Sequence, residues 1–361
     1  MKFCPAPTPR LRYWRNSTLH NRKTSRRNVI SRAFTRSETY LFIILFVLVA
    51  VVSIISPRFF TARNALQILR TSAFTGILSI GFLFVLIQGG LDISFTATAT
   101  VAQYLMALAL VSKGNVPILV VLLIPIAVGM LLGSVNAVLI HRLKAPSIIV
   151  AIANLNIYYG VLQIISGGTW IYNFPDWFDR VGKGFVFAFV DENGATFGLS
   201  YLTLIWIAVA IVAVVVLRYT KLGRHLFALG GNIEAARRSG LSLFRLRLFA
   251  YSFLGLLAGL AGIVQALDTQ TVAPNALVGR EFDVVAAVVL GGANIFGGAG
   301  SVGGTLLGVL LITVITNALT LLRIPAYWHQ VFIGAVVLAS ISVTSLRALL
   351  ARRKERIIDV R

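Results

Sequence analysis

Long apolar stretches, separated by short polar connections, cover most of the chain. A transmembrane helix needs about 20 mostly apolar residues, and a soluble helix normally keeps a polar face that most of these stretches lack. The pattern therefore predicts an all-α, polytopic transmembrane bundle of about ten helices rather than a large soluble core. Segment 284–293 is too short to span a bilayer alone. The predicted crossings are 39–56, 71–90, 95–112, 116–140, 147–165, 199–217, 248–266, 284–293, 302–322 and 326–346.

Basic segments all fall on one side of this ten-helix arrangement. The opposite side holds the acidic loops 166–198 and 267–283. Because Lys and Arg concentrate on the cytoplasmic side of a membrane, both termini are predicted to be cytoplasmic. Arg58, Arg63 and Arg70 fall on the outer side, and we expect them to snorkel from a helix that begins along the interface. The basic segments are 1–38, 141–146, 218–247 and 347–361.

The same charge pattern divides the chain into three parts. We predict a basic N-terminal tail at 1–38, disordered or bound to the membrane surface, a transmembrane domain at 39–346 and a second basic tail at 347–361. The formal net charge of +21 is spread over loops and ends rather than gathered in one domain. This distribution favours contact with anionic lipid headgroups over binding of nucleic acid.

Residues 218–247, which we call the charged loop, contain the pattern of a short capped helix. Asn232 is a good N-cap residue. Glu234 near the start and Arg237 with Arg238 near the end complement the helix dipole, and Gly240 can adopt the left-handed conformation that ends a helix. A capped helix on the basic side predicts a docking element for a soluble partner. The candidate docking residues are Gly230, Gly231, Asn232, Ile233, Glu234, Ala235, Ala236, Arg237, Arg238, Ser239 and Gly240.

Catalytic and metal-binding motifs are absent from the sequence. It contains no G-x-x-x-x-G-K-[ST] phosphate loop, no H-E-x-x-H and no G-x-S-x-G. The single cysteine, Cys4, excludes an intrachain disulfide framework and a cysteine-based metal site. We therefore predict a non-enzymatic conduit that binds no cofactor or metal itself. The four histidines are scattered, at His20, His141, His225 and His329.

Two glycine-rich interruptions break the apolar pattern, IQGGLDISF at 87–95 and VLGGANIFGGAGS at 289–301. Broken helices in both halves indicate irregular backbone that lines a solute path; tight loops at a membrane edge are the alternative. Asn154 and Asn156 flank one residue, so at most one of them faces such a path. The path candidates are Gln88, Gly89, Gly90, Asp92, Ser94, Asn154, Asn156, Tyr158, Gly291, Gly292, Asn294 and Phe296.

Asp92 is the only charged residue between positions 71 and 112. An intramembrane carboxylate can couple transport to protons or contact a solute. It can also have a structural role, with Asp92 or Ser94 capping the helix that follows. We favour the structural role and keep the other two open.

Small residues recur at four-residue spacing in three predicted helices. Such spacing lets helix backbones approach closely in lipid, so it indicates a bundle without indicating its function. The positions are Gly129 and Gly133, Gly255 and Gly259, and Gly300, Gly304 and Gly308.

Four segments together carry a family resemblance. The charged loop has Thr220, Gly223-Arg224, ALGGN at 228–232, Ala235-Ala236 and Ser239-Gly240-Leu241. The others are GGLDIS at 89–94, GSVNAVLIHRLKAPSIIVAIANLNIYYG at 133–160 and EFDVVAAVVLGGANIFGGAGSVGGTLLG at 281–308. In order and spacing they closely resemble the sugar-type permeases of bacterial ABC importers, the ribose, xylose and galactose group. The resemblance covers nearly all of 40–346.

The resemblance implies a type II-like permease in the bacterial inner membrane that pairs with a second permease chain, identical or similar. It implies two cytoplasmic ATPase subunits that bind ATP and Mg²⁺, and a periplasmic binding protein that delivers the solute. In this family the short loop helix, 232–239 here, is similar to the coupling helix that docks on the ATPase. The solute would then meet the breaks at 89–94 and 291–300.

The sequence departs from the family pattern at one motif, and two other classes of transporter remain as alternatives. Phe95-Thr96-Ala97 stands where the family usually has V-G-S, so we expect a monosaccharide or related polyol without specifying a pentose. A branched-chain amino-acid-type ABC permease is the nearest alternative. An ion-coupled secondary transporter is the other, although it would need several intramembrane ionisable groups.

Overall fold

The computed structural model describes residues 36–112, 117–190, 194, 196–325, 327–336, 338 and 342. The predicted tails therefore lie almost wholly outside the described residues. An all-α membrane bundle is confirmed, with one small β-hairpin added. The helices are α1 (Arg36–Ile55), α2 (Ala62–Ile87), α3 (Phe95–Ser112), α4 (Ile118–Leu143), α5 (Ser147–Ser166), α6 (Asp176–Lys183), α7 (Tyr201–Tyr219), α8 (Lys221–Gly231), α9 (Ile233–Arg238), α10 (Leu243–Thr269), α11 (Arg280–Leu290), α12 (Val302–Leu321) and α13 (327–336).

Seven of the described helices are long and apolar enough to cross a membrane: α1, α2, α4, α5, α7, α10 and α12. The helix α3 is apolar but shorter. Segment 284–293 is too short to span a bilayer alone, as predicted, because α11 has 11 residues and rises only about 16 Å, half of a bilayer core. The last predicted crossing, 326–346, is described only in part.

The helices α4 and α10 form the closest helix pair of the bundle. A Cβ atom on Gly129 would lie 2.2 Å from the Gly255 carbonyl oxygen, and one on Gly259 would lie 2.0 Å from the Pro125 carbonyl oxygen. Gly133 packs as tightly on Tyr251. The predicted four-residue glycine spacing thus brings two backbones into direct contact, as packing in lipid requires.

The most buried of the spanning helices is α2, which packs against α7, α10, α11 and α12. It begins at Ala62, nine residues before the predicted start, and its N-cap is Thr61, whose hydroxyl accepts a hydrogen bond from the Asn64 backbone N–H. The expectation that Arg70 snorkels is wrong. Its Nε donates to Asp268 Oδ1 of α10 at 2.8 Å, so an ion pair compensates this charge within the bundle.

The side of the bundle that carries Arg70 and Asp268 lies opposite the charged loop. Within the predicted outer loop 166–198, the structure adds the helix α6 and the antiparallel strands β1 (Phe185–Val190) and β2 (Thr196–Ser200). The whole of β1 is apolar, and most of it is exposed. An isolated bridge between Ile171 and Val272 joins this loop to the segment after α10.

Candidate functional site

The charged loop folds into two helices, α8 and α9, and the predicted capped helix is confirmed. The Asn232 side-chain oxygen accepts a hydrogen bond from the Ala235 N–H at 3.0 Å, and Gly240 has a left-handed φ of +78°. Ala236 is the buried residue of α9. The rest of α9, including Ile233, is exposed. The loop therefore presents an exposed, capped helix.

The end of α8 meets both glycine-rich breaks at one contact, which we call the glycine junction. A Cβ atom on Gly230 would lie 1.9 Å from the Ile87 carbonyl oxygen and 2.6 Å from the Gly298 nitrogen. The Gly298 N–H donates to that same carbonyl at 2.8 Å. Gly297, with φ +90°, lies against Gly89. Three backbone segments thus touch with no side chain between them.

The predicted path residue Asp92 belongs instead to a closed network of buried side chains, the Asp92 cluster. Its Oδ1 accepts from the Ser94 N–H at 2.8 Å and the Ser94 hydroxyl at 2.7 Å. Its Oδ2 accepts from Asn136 Nδ2 at 2.9 Å. The Asn136 side-chain oxygen accepts from Asn154 Nδ2 and, at 3.2 Å, from the Tyr158 hydroxyl. Helices α4 and α5 are thereby tied to the chain just before α3.

These bonds support the structural role of Asp92. Ser94 occupies the position before α3, where its carbonyl accepts from the Thr98 N–H. Asp92 does not cap α3 directly, as one version of the prediction had it, because its carboxylate binds the Ser94 side chain and N–H. Both carboxylate oxygens accept hydrogen bonds within the cluster, three in all, which fits a structural role.

The remaining path candidates do not converge. Asn156 is exposed and donates to the Ile152 carbonyl in its own helix, so it does not share a face with Asn154. Phe296 is 88% exposed, and the Asn294 side-chain oxygen accepts from the Phe296 N–H in the loop before α12. Gly291 packs against the first turn of α12 at Gly304. Gln88 is buried, and its amide lacks a hydrogen-bond partner among the described residues. Gly292 lies in a turn with a left-handed φ of +86°.

Sequence reasoning missed a second buried polar group, the Glu281 cluster. The Thr96 hydroxyl donates to Glu281 Oε2 at 3.1 Å, and the Gly279 N–H donates to the same oxygen at 3.0 Å. The first turns of α3 and α11 therefore meet. On α3 the polar stripe continues through Thr100 and Gln103, and the i, i+4, i+7 spacing was the signal available in the sequence.

These features define a polytopic helical membrane protein in which α8, the helix before the exposed capped helix α9, contacts two glycine-rich breaks. Residues 64–341 match the family described as the branched-chain amino acid transport system / permease component. The chain belongs to this family.

Among its relatives, the ribose import permease protein RbsC of Bacillus subtilis is 34% identical over 302 residues, which cover 83% of this chain and 90% of that protein. The ribose import permease protein RbsC of Haemophilus influenzae is 32% identical, covering 84% and 92%. The autoinducer 2 import system permease protein LsrC of Photorhabdus luminescens is 29% identical, covering 84% and 88%. No solved structure matches the chain.

Proposed function

We propose that this chain is the transmembrane permease subunit of an ATP-binding cassette importer for a monosaccharide or related polyol. The observation that carries the proposal is the glycine junction, because it connects the exposed helix α9 with both breaks in the bundle. The ATPase subunits would be separate chains that bind ATP and Mg²⁺. A periplasmic binding protein would deliver the solute, and a second permease chain, identical or similar, would complete the pore.

The charged loop supplies the docking surface in this proposal. Asn232 fixes the start of α9, and Glu234, Arg237 and Arg238 present both signs of charge on an exposed surface. Charges of this kind select and orient a partner more than they strengthen binding. With the basic loops at the cytoplasm, α9 would face an ATPase and both termini would be cytoplasmic.

Movement of α9 would reach the bundle through α8. Because Gly230 touches Ile87 and Gly298 by backbone alone, no flexible side chain can absorb a displacement at this contact. A shift of α8 would move the end of α2 and the loop before α12 together. Such packed contacts tend to switch between discrete arrangements, which suits alternation between inward-open and outward-open states.

Relatives named for ribose import and for autoinducer 2 import favour a small polyhydroxylated solute. A branched-chain amino acid is less favoured, although the family description carries that name. Ion coupling is also less favoured, since the Asp92 carboxylate already accepts three hydrogen bonds from Ser94 and Asn136.

The proposal is tested by comparing Gly230→Ala with Gly231→Ala. The added methyl group clashes with Ile87 in the first variant and meets nothing within 4 Å in the second. In proteoliposomes with the cognate ATPase and binding protein, we expect Gly230→Ala to lower ATP-driven uptake of labelled ribose about tenfold, a typical loss of coupling free energy. ATP hydrolysis should persist, because α9 itself is unchanged.

The matched variant Gly231→Ala should keep wild-type uptake at equal expression. Equal uptake by both variants would contradict transmission through the glycine junction. Uptake by the wild type without any ATPase chain would contradict the importer class itself.

A further inference from the structure

Two short helices begin at the Glu281 cluster inside the bundle. The helix α11 is half the length of a bilayer crossing, and its first turn contacts the first turn of α3 through Glu281 and Thr96. Helix starts that meet within a bundle bring backbone N–H groups and polar side chains together, an arrangement that transporters use to hold their solutes. The cluster therefore has the groups that a solute site needs, although no candidate from the sequence pointed to it.

The side chains of the cluster carry hydrogen-bonding groups that the protein does not satisfy. Gln103 is 1% exposed, and its side-chain oxygen has no partner among the residues that the structure describes. The Tyr159 hydroxyl lies beside Thr96 and Thr100 but completes no hydrogen bond of normal geometry with any described residue. Buried groups without partners cost stability, and a solute that pairs with them would recover part of that cost.

The available side-chain groups can form hydrogen bonds with the hydroxyl groups of a solute. Gln103 offers a free acceptor, Glu281 offers a carboxylate, and Tyr159 can donate or accept. A sugar hydroxyl is both a donor and an acceptor, so it can pair with each of them. Thr96, Thr100 and Gln103 lie on one face of α3 and extend over roughly 10 Å of helix, a length along which several hydroxyls of one monosaccharide can pair.

Glu281 also determines which charge a solute can carry into the site. Its Oε2 binds two neutral donors, Thr96 and Gly279, and no ion pair to it occurs in the described part of the chain. The neighbouring Arg280 is directed to Asp283, at 3.4 Å. An uncompensated carboxylate in a buried site repels an anionic solute strongly.

We propose that Thr96, Thr100, Gln103, Tyr159 and Glu281 form a solute-recognition site that takes neutral, polyhydroxylated molecules and rejects their acidic counterparts. The inference rests on the proposed function and names the site through which the solute passes. Thr96 and Thr100 are fully buried in this conformation, so entry requires α3 and α11 to separate during the transport cycle.

The test is direct binding of D-ribose to the full chain in lipid nanodiscs, titrated by saturation-transfer-difference NMR. Thr96→Val should weaken binding about fivefold, the effect of one lost neutral hydrogen bond. Thr98→Val is the matched control, because Thr98 is equally buried but lies on the opposite face of α3. Equal affinities of the two variants, or no ribose signal from the wild type, would overturn the assignment.

Charge selection is tested with D-galactose and D-galacturonate. The wild type should give a signal with galactose only, whereas Glu281→Gln should accept galacturonate as well, since the amide keeps an acceptor but loses the charge. A galacturonate signal as strong in the wild type as in the variant would refute the role of Glu281. Retained ribose binding without ATP-driven uptake would instead count against the proposed function alone.

Discussion

The Asp92 cluster and the Glu281 cluster lie within four residues of each other at the start of α3, yet their hydrogen bonding differs. In the first, both carboxylate oxygens accept bonds from Ser94 and Asn136, and the network closes through α5. In the second, a carboxylate accepts two bonds, while Gln103 Oε1 and the Tyr159 hydroxyl complete no hydrogen bond of normal geometry with any described residue. A closed network indicates a structural role, and an open one indicates a missing partner.

Of the variants that test this contrast, Asn136→Ala should cause the largest loss of stability. The Asn136 amide nitrogen donates to Asp92, and its oxygen accepts from Asn154 and Tyr158. Asn136→Ala therefore leaves several buried groups without a hydrogen-bond partner. We expect it to lower the free energy of unfolding by about 3 kcal/mol. Thermal unfolding in detergent, monitored by tryptophan fluorescence, measures the loss. Unfolding unchanged from the wild type would show that the network is not structural.

A smaller loss of stability than that of Asn136→Ala is expected from Asn154→Ala, and Asn156→Ala is its control. Asn154 is buried and donates to Asn136, whereas Asn156 is exposed and donates only within its own helix. The first variant should cost about 1 kcal/mol, as for one hydrogen bond within a membrane bundle, and the second should leave stability unchanged within about 0.5 kcal/mol. The same thermal assay compares them. A larger loss from Asn156→Ala would contradict the assignment of their faces.

The smallest expected difference in stability is between variants of two adjacent tyrosines, Tyr158 and Tyr159. The Tyr158 hydroxyl donates to Asn136 Oδ1 and lies 3.2 Å from the Leu132 carbonyl, while the Tyr159 hydroxyl completes no hydrogen bond of normal geometry within the described part of the chain. Tyr158→Phe should lower the free energy of unfolding by about 0.5–1 kcal/mol, and Tyr159→Phe should not lower it. Isothermal denaturant unfolding measures both values. If Tyr159→Phe is the more destabilising, the two clusters do not differ as described.

Local features were predictable from the sequence because their causes are local. The caps of α9 and the glycine spacing that brings α4 onto α10 depend on residues within a few turns. The contact between Thr96 and Glu281 was not predictable in the same way, because 185 positions separate the two residues. The start of α2 was misplaced for a related reason: Arg70 interrupts the apolar pattern, and its partner Asp268 is 198 positions away.

The convergence of the two breaks on the charged loop was also beyond sequence reasoning. The breaks were predicted to line a path, but Gly89, Gly230 and Gly297 touch one another, and only the tertiary fold brings these segments together. The β-hairpin formed by β1 and β2 was missed because both faces of β1 are apolar, so the alternation that marks a half-buried strand is absent.

The brevity of α9 has a consequence for its conformational entropy. The helix has six residues, far fewer than the ~12–15 that an isolated helix needs to overcome the cost of nucleation. Its order comes from the Asn232 cap, the buried Ala236 and the return of the chain at Leu241, whose N–H donates to the Ala236 carbonyl. The bundle thus removes in advance the ordering entropy that a flexible loop would lose on docking, and a free peptide of the same sequence would lack that advantage.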